Sequence, residues 1–240
     1  MSAIDRRQTS NEREPLLGRP GDVEQLPGQS LLSNLIKGTA PLAQFGGLLI
    51  FGLTWGAVFT HRTLLFSAHP LLNALAILLA IQAILVLQPT HTPEQKKAGT
   101  TSHAAVWAVA GSAFFAGLIA VEVHKQRSHL GHFESPHAVL GLVIYVMLMI
   151  QILVGVTQYY VPAVYGSVDN AKAMYKYHRV CGYIILTLVL INVVLASKTP
   201  YAGKILGIKT WATVVGAVFV LLGILPRIKK KKVQLWGRRN

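Results

Sequence analysis

SPHAVLGLVIYVMLMIQILVG, residues 135–155, and KAMYKYHRVCG, residues 172–182, decide the fold of this chain. The first is an apolar run long enough to cross a bilayer, and the second leads into another. Near the start of each run stands a histidine, His137 or His178, with a glycine four residues on, Gly141 or Gly182. One helical turn separates i from i+4, so each imidazole sits beside a position without a side chain, which leaves room for a flat ligand. Working outward, the two preceding apolar runs each carry one histidine near their starts, His69 and His103. Four consecutive runs thus carry four histidines in the same place.

Composition sets the solvent. Of 240 residues 52% are apolar and 13% charged, against about 25% charged in a soluble domain. The chain reads as a membrane protein. Its formal charge of +14 is spread over tails and loops around apolar runs, which is how a membrane protein orients itself and not the footprint of a nucleic-acid binder. With Cys181 as the single cysteine, there is neither an intramolecular disulfide nor a cysteine metal cage.

A spanning helix needs roughly 20 apolar residues, since about 30 Å of hydrocarbon is covered at about 1.5 Å per residue. Six windows qualify: 42–60, 65–87, 101–122, 137–160, 178–197 and 205–225. Short connections make successive helices antiparallel neighbours, and backbone polar groups in lipid favour helices over open sheet. The expected fold is therefore an all-α membrane protein of six transmembrane helices, with a central four-helix bundle holding two haems. Its expected divisions are a disordered tail over 1–40, a six-helix domain over 41–226 and a basic tail over 227–240. No cleavable signal peptide is visible in the polar first 40 residues. With both termini on one side, that side collects seventeen Lys and Arg against five opposite, which predicts cytosolic termini. The run RIKKKK, 227–232, then anchors the end at anionic headgroups. Within the first tail, EREPLL (residues 12–17) has the form of an acidic dileucine signal, pointing to a vacuolar or endosomal membrane.

Antiparallel order places His69 and His137 at the non-cytosolic face, and His103 and His178 at the cytosolic one. Facing imidazoles between helices form a bis-histidine site for haem iron, and two such pairs make a wire across the membrane. A lone histidine at a helix end is more often interfacial than ligating; repetition over four helices is what raises the ligand reading. Gly155 and Gly216 read as close-packing residues. Gln82, Gln151 and Asn192 read as interhelical hydrogen-bond partners, and Asn73 and Trp107 take the places that glycine holds after His137 and His178.

These residues resemble the cytochrome b561 family. The resemblance covers about residues 45–225 and rests on His69-Pro70, Lys96-Lys97 ahead of His103, His137-x-x-x-Gly141 with Gln151, and Lys176-Tyr177-His178-Arg179 leading to Gly182. Ala138-Val139 after His137 departs from the Ser-Trp of many members. The resemblance implies two haem b groups, with His69 paired to His137 and His103 to His178. It implies cytosolic ascorbate as donor, monodehydroascorbate or ferric ion as acceptor, and a homodimer. On that reading Lys96, Lys97, Lys176 and Arg179 receive the anionic donor, and His124, His129 and His132 of the third loop, with Glu122 and Glu134, face the acceptor with ligands that suit iron. A haem-bearing anchor subunit passing electrons to quinone in a larger complex is the alternative.

Overall fold

The structure, a computed structural model, describes residues 23–61, 65–229 and 233. Among these residues it is helical without strands. The six principal helices are α1 (Ala40–Phe59), α2 (Ala68–Leu87), α3 (Pro93–Arg127), α4 (Pro136–Tyr160), α5 (Val168–Ser197) and α6 (Thr210–Ile224). Each is long and apolar enough to cross a membrane, α6 together with the 3-10 turn that extends it to Arg227. Large apolar side chains such as Val139, Val146, Ile150 and Leu153 of α4 stay exposed on the bundle surface. In water such a surface would drive aggregation, and in a bilayer it faces lipid. The protein is a multi-pass membrane protein.

Two of the helices start well before their apolar windows. In α3, Thr92 accepts from the Gln95 N–H at 3.2 Å while the Gln95 side chain returns to the Thr92 N–H, a complete capping box. Ser167 caps α5 by accepting from Asn170 N–H at 3.1 Å. These caps satisfy helix-end donors that hydropathy does not register. His103 and His178 therefore stand ten residues inside their helices, not near the starts as expected, whereas His69 and His137 are second residues. The last helix begins later than the window at 205: residues Tyr201–Ile205 form a π turn and Gly207 adopts φ +66° before α6 starts.

The backbones of α2 and α3 pack closely as one antiparallel hairpin, and those of α4 and α5 as another; between the hairpins, α3 and α4 make the main close approach. The shared apolar core includes Ile77, Ile81, Leu148, Leu186 and Leu190. Helices α1 and α6 pair beside α2. Their backbones meet because a Cβ at Gly46 would lie 2.4 Å from the Gly216 carbonyl oxygen and one at Gly223 would lie 2.2 Å from the Ala43 nitrogen. Gly216 is thus a close-packing residue as read from the sequence.

Both expected tails need correction at their inner ends. Residues 23–39, placed in the disordered tail, pack on the end of α2, and Arg227, placed in the basic tail, is 2% exposed. The last carbonyls of a helix lack intrahelical donors. Here the donors come from elsewhere: Asn34 Nδ2 donates to Val86 O at 2.8 Å, Arg227 Nη2 to Leu85 O at 3.4 Å and to Asn34 O at 3.0 Å, and Gln25 N–H to Pro89 O at 3.1 Å. A guanidinium is well placed at the negative end of a helix dipole, which accounts for a buried cation there. Lys229 pairs with Glu24. The dileucine stretch and most of the terminal lysines lie outside the described residues.

Candidate functional site

Three of the four histidines are held within their own hairpin through Nδ1. His69 Nδ1 donates to Gly117 O across the α2–α3 hairpin at 3.0 Å, and His103 Nδ1 returns to Ala83 O at 2.8 Å. In the second hairpin His137 Nδ1 meets Asn192 O and Asn192 Oδ1, each at 3.1 Å. Carbonyls only accept, so all three rings carry their proton on Nδ1 and present the lone pair at Nε2. Every acceptor lies fourteen residues beyond the histidine of its own helix: Ala83 after His69, Gly117 after His103, Asn192 after His178. Fourteen residues of helix rise about 21 Å. The register thus fixes two histidine levels about 21 Å apart, within an apolar slab of about 30 Å.

At the level remote from the chain termini, His69 and His137 come together with ring centroids 6.1 Å apart and planes at 78°. At the level nearer the termini stand His103 and His178, each ten residues inside its helix. All four rings are half-buried. The His178 ring abuts α4 at Gly155, where a Cβ would stand 2.9 Å from Cε1. Gly155, read from the sequence as a helix-packing residue, is instead the seat of this imidazole. A Cβ at Gly141 would meet Asn192 Nδ2 at 3.4 Å, and one at Gly182 would meet Gln151 Nε2 at 3.2 Å. Gly182 thus makes room for the Gln151 amide, whereas at Gly141 a Cβ would stand at ordinary contact distance from Asn192.

The mid-span amides act between helices, as expected. Gln82 and Gln44 exchange hydrogen bonds at 2.8 Å, and Gln151 Nε2 donates to His178 O at 2.6 Å. Asn73 donates to its own helix at His69 O, 2.7 Å away, and accepts from Tyr145 OH of α4 at 2.9 Å, so it ties the hairpins together beside His69. Trp107 lies 6.4 Å from His103 and stacks toward Phe114.

Lys96 and Lys97 are exposed in the first turns of α3, and Lys176 and Arg179 flank His178 half-buried on α5; all four lie toward the termini end of the bundle. Lys176 Nζ sits over the Tyr177 ring at 4.9 Å. Glu122 and His124, expected in the third loop, lie on the last turns of α3: His132 Nε2 of the loop and Glu122 Oε2 are 2.8 Å apart, His124 packs against Phe66 at 5.2 Å, and His129 is exposed with φ +51°. Among the described residues no three His, Cys, Asp or Glu side chains gather to hold a metal ion. Of the three histidines expected on the acceptor side, His129 and His132 are exposed and His124 is half-buried. Sequence reasoning passed over Phe66, which lies 6.0 Å from the His69 ring, 5.2 Å from His124 and 4.5 Å from Tyr201. Its place three residues before His69 was the available signal; the partner from residue 201 had none.

These features define a class, the polytopic helical membrane proteins whose histidines are held at two levels between paired hairpins. The family model for eukaryotic cytochrome b561 matches residues 68–201, more than half of the chain and every one of the four histidines, and the chain belongs to that family. Among curated proteins none matches it. The family's members carry electrons across membranes on haem b, and this chain is a haem protein of that kind. The donor set fits: an imidazole whose Nδ1–H is taken by a fixed acceptor presents a basic, oriented Nε2 to iron.

Proposed function

We propose that the chain binds two haem b groups, one between His69 and His137 and one between His103 and His178, and moves electrons between a cytosolic donor and a non-cytosolic acceptor. The observation that carries this is the set of Nδ1 hydrogen bonds across the hairpins, which leaves Nε2 as the only nitrogen of His69, His103 and His137 free to ligate. Haem supplies a one-electron couple whose potential the surrounding protein sets. The protein's own share is to hold four rings, to separate the two levels, and to wall both with apolar side chains that exclude water.

The donor is ascorbate or a similar anionic reductant. Lys96, Lys97, Lys176 and Arg179 supply cationic hydrogen-bond donors for it near His178 and His103. The acceptor is monodehydroascorbate or ferric ion, met at the far end, where the Phe66 ring lies between His124 on the last turns of α3 and His69. His129 and His132 add imidazole on that surface. The charge asymmetry supports cytosolic termini, and the dileucine stretch supports a vacuolar or endosomal membrane. The exposed apolar face of α4 suits a homodimer within the lipid plane. The family match favours this reading over a quinone-coupled anchor subunit.

A pyridine haemochrome assay on the purified chain, followed by anaerobic titration with ascorbate alone, tests it. Two haems per chain, both reduced without a partner subunit, is the expected result. One haem or none, or a chain that ascorbate leaves oxidised, overturns it.

A further inference from the structure

The fourth histidine breaks the pattern. By the register of the other three, Nδ1 of His178 should meet the carbonyl of Gln151, fourteen residues beyond His137. Gln151 instead uses its side chain to donate to His178 O. Buried Nδ1 of His178 has no hydrogen-bond partner, and neither has buried Oε1 of Gln158. One is a donor when Nε2 ligates, and the other is an acceptor.

Helical spacing sets Gln158 on the stripe of α4 that meets His178. Gln151, Gly155 and Gln158 are spaced i, i+4, i+7 and so share one stripe of α4. Contacts from Gln151 to His178 O and from Gly155 to the His178 ring turn that stripe toward α5. Long side chains in a helix lean back over the preceding turn. For Gln158 the preceding turn holds Gly155, whose missing side chain leaves the ground between the carboxamide and the ring clear. Gln158 is 6% exposed, so water does not freely satisfy its oxygen. The last torsion of a Gln side chain is broad and cheap to turn, whereas a buried donor and a buried acceptor left unpaired each carry the full desolvation penalty.

We propose that Gln158 is the positioning residue of His178: its Oε1 accepts the hydrogen bond from Nδ1–H, directly or across one water, when Nε2 holds iron. The inference rests on the reading of His178 as a haem ligand. It makes the two ends of the protein unlike. Three ligands are tied to main-chain carbonyls, which substitution cannot remove, with His137 reaching the Asn192 amide oxygen as well, and His178 depends on a side chain alone. The strength of that acceptor sets how much electron density the imidazole gives to iron, so Gln158 tunes the haem nearer the termini alone.

The test is a spectroelectrochemical titration of the purified full-length chain, wild type against Gln158→Leu and Gln158→Glu, with haem counted in each and the remote ligand nitrogen read by ENDOR. With the acceptor gone in Q158L, one of the two midpoint potentials rises and the coupling of one remote nitrogen changes. With a stronger acceptor in Q158E the same potential falls, and the second haem is unmoved throughout. Loss of one haem in Q158L with retention of both in Q158E also supports the proposal. Two haems with unshifted potentials in Q158L, or potentials that shift together at both haems, overturn it while leaving the haem reading intact. A wild-type chain that binds no haem overturns the reading and the inference with it.

Discussion

Single side chains carry the redox proposal, and each pair can be tested by itself. His69→Ala or His137→Ala is expected to halve the haem content and leave the spectrum of the other haem in place; His103→Ala or His178→Ala should do the same for the complementary spectrum. Haemochrome counts with low-temperature absorption spectra check this, and full retention of both haems in either set would remove the pairing. Gly155→Ala should perturb only the haem that His103 and His178 hold, because its Cβ would enter the His178 ring at 2.9 Å from Cε1. Asn73→Leu removes the acceptor of Tyr145 OH and is expected to cost about 1–3 kcal/mol, the penalty for orphaning a buried polar group. Thermal unfolding in detergent, compared with the double change Asn73→Leu and Tyr145→Phe, separates the lost bond from lost packing.

At the scale of elements, α2 is completed by segments from both ends of the chain. Asn34→Leu takes the donor from Val86 O and is expected to destabilise the protein by about 1–3 kcal/mol. Arg227→Met should cost at least as much, since it removes the donor to Leu85 O at the negative end of the helix and the donor to Asn34 O. Amide exchange at the end of α2 and in residues 23–39 should rise in both variants, and unaltered protection would show that the segment docks by other contacts. The caps of α3 and α5 are smaller: Thr92→Ala or Ser167→Ala is expected to cost about 1 kcal/mol. Their larger consequence is positional. They extend α3 and α5 beyond the apolar runs and set His103 and His178 ten residues deep.

The whole molecule places its two histidine levels about 21 Å apart, and the function proposed follows from that separation. In proteoliposomes, a membrane-impermeant acceptor sealed inside should be reduced by ascorbate added outside. His103→Ala should abolish that transfer even where the haem of His69 and His137 remains. If ferric ion is the acceptor, replacing His124, His129 and His132 together should slow ferric reduction with both haem spectra intact; unchanged kinetics would place the acceptor elsewhere.

Hydropathy and the spacing of four histidines determined the six spans, the approach of His69 to His137 and the family, because a bilayer demands long apolar helices and haem iron suits imidazole. The interhelical roles of Gln82, Gln151 and Asn192 were legible for the same reason: an amide inside an apolar run must find a partner. Tertiary structure alone decided which atoms hold each ring. The acceptors for His69 and His103 are main-chain carbonyls, present at every residue and therefore silent in a sequence, and only the hairpin register brings positions 117 and 83 opposite them. It also decided that Gly155 seats an imidazole while Gly216 packs a helix, and that Arg227 closes α2 instead of trailing in a tail. Each is a contact between distant stretches, set by how helices slide and turn against one another, and one-dimensional spacing carries no record of that choice.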